Sequence, residues 1–228
     1  MIEVLYEDNH LIAVNKKSGD IVQGDKTGDT PLSDFVKAYI KKEYNKPGEV
    51  FLGTIHRLDR PTSGIVLYAR TSKALSRMNE QFRNKEVQKT YFAVVDNPPP
   101  NTSGTLDNYL QKNQKQNKSY VTKDNNGKHA ILDYKLLKTL DNFYLIEIKP
   151  QTGRHHQIRV QLANIGCIIK GDLKYGAKRS NKDASIHLLA QKLEFTHPVK
   201  KESITIVAPA PKDSVWDDCK KNYTFTEN

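Results

Sequence analysis

The residues with the clearest capacity for chemistry lie in the stretch IHRLDRPTSGIVLYAR, between Ile55 and Arg70. Here a single carboxylate, Asp59, lies close to Arg57 and Arg60. A cation within a few ångströms favours the charged form of a carboxylate, so at least one of these guanidinium groups is expected to keep Asp59 ionised. The same side chains could equally form a structural ion pair that ties a loop to the strand after it.

The residues after Asp59 predict where it lies in the fold. Pro61 and Gly64 bend the chain, and the apolar run from Ile65 to Ala69 is typical of a buried strand. Asp59 is therefore expected on a loop that leads into this strand, a position where a rigid scaffold presents functional groups.

Other enzyme classes fit the residues poorly. A glycosidase needs two carboxylates across its substrate, and only Asp59 has persuasive surroundings. The pair His155-His156 has no HExxH frame, and neighbouring residues on a helix point about 100° apart, so a metal site is not expected. Hydrogen bonding or contact with RNA is the expected role of these histidines. The chemistry predicted is one that a single carboxylate can perform.

The periodicity of apolar residues predicts the elements that hold these groups. Helical spacing predicts one helix between Thr30, its expected N-cap, and Asn45, and another that starts at Ser72. Strand patterns are more numerous and are mostly connected by turns. The fold class expected is α+β, with a mixed, largely antiparallel central sheet flanked by helices.

The chain length is sufficient for one domain with its own core, spanning residues 1–228. The loop near 97–104, which contains three consecutive prolines, is where two lobes would divide. The tail after about residue 212 is expected to be loosely held.

Charge points to a polyanionic partner, because 36 lysines and arginines outnumber 26 acidic residues. Five of the lysines lie at 108–128, named the basic arm here, and the residue pattern predicts a hairpin with its turn at Asp124–Gly127. The arm either contacts RNA or is a solvated excursion of the chain. With no signal peptide, no apolar run that would span a membrane and no cysteine framework, the protein is expected in the cytoplasm.

The order of several motifs resembles the RluA-like family of RNA pseudouridine synthases. HRLDRPTSG at 56–64 resembles the catalytic motif, and the likeness continues at KTY (89–91), TGRHHQIR (152–159) and IKGDLKYG (169–176). Segments near both ends, at 11–16 and 193–198, also match. Departures are Lys17, where relatives usually have proline, and His155, where Thr or Ser is usual. The resemblance covers the catalytic domain only, without the S4-type RNA-binding domain that many relatives have.

This resemblance implies the pseudouridine synthase catalytic fold and a role for each matching residue. Asp59 would attack the target uridine, at the ribose or at the base, with Tyr91 against that base and Arg159 paired with Asp59. Arg57 would enter the RNA stack where the uridine leaves it, because a base inside stacked RNA is inaccessible. The remaining residues implied to bind substrate are His56, Arg60, Arg154, His156, Gln157 and Ile158.

The function implied is the isomerisation of uridine to pseudouridine in structured RNA, either tRNA or ribosomal RNA. No cofactor or metal is implied, and a monomer without an obligate protein partner is expected. Two other hypotheses remain open at this point. One is an RNA-binding protein or chaperone whose catalytic residues are vestigial, and the other is a glycosylase that releases free uracil.

Overall fold

A computed structural model describes residues 2–24, 28–123 and 126–221. The chain divides into two compact units. Of the described residues, unit 1 comprises those up to Gln88 together with Ala190–Ala210, and unit 2 comprises Lys89–Leu189 together with those from Pro211 to Lys221. The first boundary therefore follows Gln88 and does not fall in the proline loop near 97–104.

The described residues form eleven strands, four α-helices and one 3-10 turn at Leu173–Tyr175. In chain order they are β1 (Val4–Glu7), β2 (Leu11–Lys16), α1 (Leu32–Glu43), β3 (Gly53–Thr54), β4 (Ser63–Ala69), α2 (Ser72–Arg83), β5 (Gln88–Val95), β6 (Ser103–Asn113), β7 (Lys118–Thr122), β8 (Lys128–Thr139), β9 (Tyr144–Pro150), α3 (Gln157–Asn164), β10 (Leu188–Thr196), β11 (Ser203–Val207) and α4 (Ser214–Lys220). The predicted α+β class, with a largely antiparallel sheet flanked by helices, is confirmed.

Unit 1 places its two central strands under helix α1. β2 is antiparallel to both β1 and β4, with Val14 opposite Val66. The stripe of Leu32, Val36 and Ile40 on α1 packs against these strands because residues four apart lie on one helix face. The predicted helix is confirmed, but Thr30 is not its cap: the N-cap position is Pro31, which offers no side-chain hydrogen bond.

The second helix of unit 1 also begins one residue away from the expected cap. Thr71, not Ser72, is the N-cap of α2, and its hydroxyl accepts a hydrogen bond from the Ala74 amide at 3.2 Å. This bond satisfies one of the amides that a helix start leaves unpaired. Ala74 and Met78 are fully buried, as expected for one apolar face.

Unit 2 is an antiparallel sheet in the order β5, β9, β8, β6, β7. Ile158 and Leu162 on α3 pack into its core with Ala93 and Val95 of β5. The basic arm differs from the expectation, because its tight turn is at 114–117, between β6 and β7. β7 and β8 flank β6 on opposite sides, and the expected turn residues Asp124 and Asn125 lie outside the described residues.

The expected loose tail after about residue 212 is wrong for its first part, because Ser214–Lys220 forms α4. Asp213 caps this helix by accepting the Val215 and Trp216 amides at 2.8 and 2.9 Å. The Trp216 ring stacks on the buried His187 ring with centroids 5.5 Å apart, which explains why so short a helix is held. Residues 222–228 lie outside the described part of the chain.

A buried polar cluster in unit 1 joins the turn after β1 to the turn after β10. The Oδ2 atom of Asp8 lies 2.8 Å from Nε2 of His197, whose side chain is fully buried. The other carboxylate oxygen accepts the amides of His10 and Leu11, each at 2.8 Å. Burial by itself would raise the pKa of Asp8, but these amides, the Tyr6 hydroxyl and His197 together lower it below its usual value.

The lowered pKa predicts how Asp8 contributes to stability as the pH changes. A carboxyl whose pKa is lower in the folded state stabilises it at pH values above the unfolded pKa, about 3.8, and loses that contribution as pH falls through the folded pKa. Asp8→Asn should therefore lower the unfolding free energy by about 1–3 kcal/mol at pH 7. Urea unfolding of both proteins from pH 7 to pH 2 should show the difference shrinking only below about pH 4. A difference that is already lost at pH 5 would contradict this account.

Candidate active site

The backbone that bears Asp59 is fixed at four consecutive carbonyl groups. The Thr62 amide donates to the Asp59 carbonyl at 3.0 Å, which closes a turn over 59–62. The Arg60 carbonyl accepts from the Gly19 amide at 2.9 Å, and the Pro61 carbonyl accepts from the Ser18 hydroxyl at 3.2 Å. This confirms the prediction that Asp59 lies on a loop before a buried strand, and it shows which hydrogen bonds hold the loop backbone.

Lys16 supplies the remaining contacts to this turn from the end of β2. Its side chain is fully buried, and Nζ donates to the carbonyls of Lys17, Arg60 and Thr62 at 3.0, 2.9 and 2.7 Å. Burial lowers the pKa of Lys16 to about 8, although the carboxylates of Asp20 and Asp59 act in the opposite direction. Sequence reasoning gave Lys16 no role, and its only signal was membership of the matching segment at 11–16.

Replacing Lys16 by methionine is expected to destabilise unit 1, because the buried Thr62 carbonyl loses its donor at a cost of about 1–3 kcal/mol, partly offset by removal of a buried charge. Between about pH 8 and pH 10.5 the unfolded chain binds a proton that the folded chain has released. The wild-type protein should therefore gain stability relative to Lys16→Met across that range. Urea unfolding from pH 7 to pH 10 measures both effects. Lys17→Met is the matched control, and an equal effect there would contradict the role of Lys16.

His56 connects the loop to β4 and α2. Its Nε2 accepts the Leu67 amide of β4 at 3.1 Å, and its ring stacks on Phe82 of α2 with centroids 5.3 Å apart. These contacts favour a neutral ring whose proton is on Nδ1. The resemblance implied that His56 binds substrate, and the structure assigns it contacts that position the Asp59 loop.

Gly64 is required for the chain to leave the loop in this direction. Its φ of +113° is a conformation that residues with a side chain rarely adopt, and a Cβ atom there would lie 2.2 Å from the Ala190 carbonyl oxygen. The bend predicted at Gly64 is thus explained by close approach of β10 to the start of β4.

The two arginines beside Asp59 differ in their surroundings. Arg60 forms an ion pair with Asp29 at 2.8 Å, and both side chains are about half exposed. Arg57 is exposed and forms no ion pair or hydrogen bond with other described residues through its guanidinium. Asp29 is therefore an observed partner of Arg60, and the expectation that at least one flanking arginine keeps Asp59 ionised stays a prediction.

In unit 2, Tyr91 lies on β5 opposite Ile148 of β9. It is partly buried and packs against the core of that unit. Burial lowers the pKa of the neighbouring Lys89 below its usual value. The predicted strand is confirmed, and it fixes the backbone of Tyr91 between a packed core and a paired strand.

Arg159 is held by a buried carboxylate that sequence reasoning did not single out. Its Nε and Nη2 atoms donate to the two oxygens of Asp172 at 2.7 and 2.8 Å, and both side chains are at most 4% exposed. Two parallel bonds to one carboxylate fix the plane of a guanidinium. The motif at 169–176 contains Asp172, but nothing in the sequence pairs it with Arg159.

The other predicted substrate ligands near α3 are largely occupied within unit 2. Gln157 accepts from the Thr152 hydroxyl and the Arg154 amide at 2.8 and 2.9 Å and donates to the Ile131 carbonyl at 2.9 Å. Ile158 lies in the core. Arg154 is exposed but donates through Nε to the His129 carbonyl at 2.9 Å. These residues shape the segment before α3.

The pair His155-His156 precedes α3, so the argument from helical geometry does not apply to it. Its rings stack with centroids 3.8 Å apart. Both form the hydrogen bonds that were expected: His155 with Ser119 and His156 with Tyr175, each at 2.9 Å. Burial, and then the charge of Arg159, lowers the pKa of His156 to about 2, so this ring is neutral near pH 7 and adds no positive charge for a phosphate.

No group of three or more histidine, cysteine or acidic side chains among the described residues is arranged to hold a metal ion. Within the same residues, no helix has the length and apolar character needed to cross a membrane.

Comparison with known proteins gives a consistent result. The family model described as RNA pseudouridylate synthase matches residues 10–164. The ribosomal large subunit pseudouridine synthase C of Buchnera aphidicola is 35% identical over 227 residues, covering 96% of this chain and 70% of that protein. The ribosomal large subunit pseudouridine synthase D of Xylella fastidiosa is 31% identical over 225 residues, covering 93% and 67%.

Among solved structures, human RNA pseudouridylate synthase domain containing 4 superposes with a TM-score of 0.77 and 25% identity, covering 92% of this chain and 89% of that one. Human RNA pseudouridylate synthase domain containing 1 gives a TM-score of 0.74 at 23% identity, which supports the fold alone.

Proposed function

The chain belongs to the RNA pseudouridine synthase family, isomerases that act on RNA, and on that premise we propose that it converts uridine to pseudouridine in ribosomal RNA with Asp59 as the nucleophile. Relatives that are named for the large ribosomal subunit support this substrate over tRNA. The single observation that supports Asp59 most directly is the turn at 59–62, in which every carbonyl accepts a hydrogen bond.

A fixed turn matters because one carboxylate must reach a defined atom of the substrate. Holding reacting groups at the correct distance can lower the activation barrier by about 7–11 kcal/mol. Lys16 and His56 hold the loop from the β2 and α2 sides, so the Asp59 backbone does not need to be ordered by substrate. Asp59 is accordingly presented to RNA in a conformation that already exists in the free protein.

The reaction is balanced without a cofactor. The bond between ribose C1′ and base N1 breaks, the base rotates, and C1′ joins C5, which loses a proton while N1 gains one. Asp59 attacks either the ribose or the base. Tyr91 lies against the base and handles the proton at C5, and Arg159 stabilises the Asp59 carboxylate.

Arg159 suits this role because two hydrogen bonds to Asp172 orient its guanidinium. The Asp172 carboxylate engages the Nε and Nη2 edge of the guanidinium, which sets the plane in which the remaining nitrogen Nη1 points. A guanidinium oriented in this way pays less conformational entropy when it meets a second carboxylate. We assign Asp172 as a positioning residue for Arg159.

Arg57 is the residue proposed to take the place of the flipped uridine. It is exposed on the segment just before the turn at 59–62, and its guanidinium can stack on bases. Unstacking a base costs about a few kcal/mol, and stacking of Arg57 in the gap together with phosphate contacts offsets that cost. Arg60 and Arg154 are proposed to contact phosphates.

Release of tritium from RNA labelled at uridine C5 tests the activity directly. Large-subunit ribosomal RNA and a tRNA pool, each from cells that lack the gene, serve as separate substrates. Release from ribosomal RNA supports the proposal, whereas release from tRNA alone would move the substrate to tRNA. No release from either pool would favour a non-catalytic RNA-binding protein, and free uracil without a new carbon-linked nucleoside would indicate a glycosylase.

A further inference from the structure

A polar cluster in unit 2 joins the basic arm to the segment before α3. Its centre is Ser119 on β7, which is only 2% exposed. The Ser119 hydroxyl donates to the His155 carbonyl at 2.8 Å and lies 2.9 Å from Nδ1 of the same residue. A serine hydroxyl has one hydrogen, so Nδ1 of His155 is the donor in the second contact. The two residues therefore exchange a reciprocal pair of hydrogen bonds.

Tyr175 forms hydrogen bonds with the backbone of Ser119. Its hydroxyl accepts from the Ser119 amide at 3.0 Å and donates to the Ser119 carbonyl at 3.1 Å. β7 is the last strand in the order of the unit 2 sheet, and an edge strand has backbone groups that no neighbouring strand pairs. The Tyr175 hydroxyl thus satisfies one donor and one acceptor that the arm would otherwise leave unpaired.

The cluster lies directly beside the lysines of the arm. Lys112 is opposite Ser119 in the β6–β7 register, and Lys118 precedes it. The Nζ atom of Lys118 lies 5.0 Å from the centroid of the Tyr175 ring, and Arg159 Cζ lies 5.1 Å from the same centroid. The ring that holds the arm therefore also lies beside the arginine assigned to the reaction.

We propose that Ser119 and His155 form a latch that holds the β6–β7 hairpin of the basic arm against the start of α3 and thereby sets the affinity of the protein for RNA. Lys112 and Lys115 are exposed, and a flexible arm would have to order them on binding. With the latch closed, their backbone is already fixed. Ser119 and His155 are positioning residues, and they act on RNA only through these lysines. The proposal rests on the proposed function only in taking RNA as the ligand.

A double-mutant cycle on RNA affinity tests this. The dissociation constant for a fragment of large-subunit ribosomal RNA is measured for Ser119→Ala alone and combined with Lys112→Ala and Lys115→Ala. We expect about a fivefold to tenfold loss for Ser119→Ala in the wild-type background and less than about twofold in the lysine-deficient background. His155→Phe, which keeps a ring but removes Nδ1, should behave like Ser119→Ala. Ser103→Ala, on an exposed position of β6, is the matched control.

Salt dependence identifies what the lysines do in the same measurements. Removing Lys112 and Lys115 should reduce the slope of log affinity against log salt by about one unit for each phosphate that is no longer neutralised. An unchanged slope with unchanged affinity would show that the arm is a solvated excursion and would overturn the proposal. Equal losses of affinity for Ser119→Ala in both backgrounds would also overturn it, because the effect would then not pass through the arm.

Amide hydrogen exchange provides a readout that needs neither RNA nor turnover. Ser119→Ala and Tyr175→Phe should speed exchange in β7 selectively, while exchange in β9 and α3 stays within about twofold of the wild-type rate. Unchanged protection of β7 in both variants would overturn the latch. If no tritium is released while the double-mutant cycle and the hydrogen exchange behave as expected, the proposed function is wrong and the latch is supported. If tritium is released but the cycle and the exchange do not behave as expected, the latch is wrong and the proposed function is supported.

Discussion

Asp59→Asn is expected to abolish pseudouridine formation while RNA binding persists. The amide has nearly the same shape as the carboxylate but cannot act as a nucleophile, so the covalent route to the rearranged nucleoside is closed. Loss of a catalytic nucleophile in an otherwise intact site costs about 10⁴-fold or more in turnover. Tritium release measures the loss, and filter binding at matched salt measures the affinity, which should stay within about threefold because phosphate contacts dominate it.

The appropriate control is Asp141→Asn, which makes the same chemical change at an exposed position. Its turnover should remain within about twofold of the wild type, since exposed substitutions rarely have larger effects. Retention of full tritium release by Asp59→Asn would remove Asp59 from the mechanism. If Asp59→Asn also lowered the unfolding free energy, and the loss of turnover were explained by the smaller fraction of folded protein, Asp59 would be structural. That is the ion-pair alternative that the sequence left open.

Asp172→Asn is expected to be the most destabilising of the proposed substitutions. The change leaves the Arg159 guanidinium buried without the carboxylate that neutralises it, and breaking a buried pair in this way costs about 3–5 kcal/mol. The same change removes the group that sets the plane of Arg159, so turnover per folded molecule should also fall. Urea unfolding with linear extrapolation measures the first effect, and tritium release at a temperature where the variant is fully folded measures the second.

A matched control exists in unit 1, where Arg60 and Asp29 form an ion pair at a similar distance but at the surface. Asp29→Asn should change the unfolding free energy by no more than about 1 kcal/mol, because solvent screens exposed pairs. If Asp172→Asn lowered the unfolding free energy by no more than this control, the two buried hydrogen bonds from Arg159 to Asp172 would not be what fixes the Arg159 guanidinium. A stable variant with normal turnover would exclude Asp172 as a positioning residue.

The structure changes the assignment of several residues that the motifs grouped together as substrate ligands. His56, His156, Gln157 and Ile158 make their observed contacts inside a unit, as hydrogen bonds, stacked rings or core packing. A motif groups residues that are constrained together, and it does not separate those that touch substrate from those that support them. Exposed Arg57, and not these four, remains the clearest candidate for a direct contact with RNA.

Local sequence patterns were sufficient to predict the α+β class, the helices α1 and α2, the loop that bears Asp59 and the strand that follows it. These depend on local signals, such as apolar spacing, Pro61 and the glycine at 64, which act over a few residues. The order of the motifs also determined the family. None of this needed knowledge of which distant segments meet.

The contacts that hold the Asp59 turn and Arg159 became visible only in the folded structure. Lys16 reaches carbonyls 44 and 46 residues away, and Asp172 reaches across 13 residues to Arg159. Lysine and aspartate are usually solvated, so nothing in the sequence marks these two as buried. Their burial is favourable only because the fold brings three carbonyls to one side chain and a guanidinium to the other. The turn that bears Asp59 is held by a lysine that no local pattern connects to it.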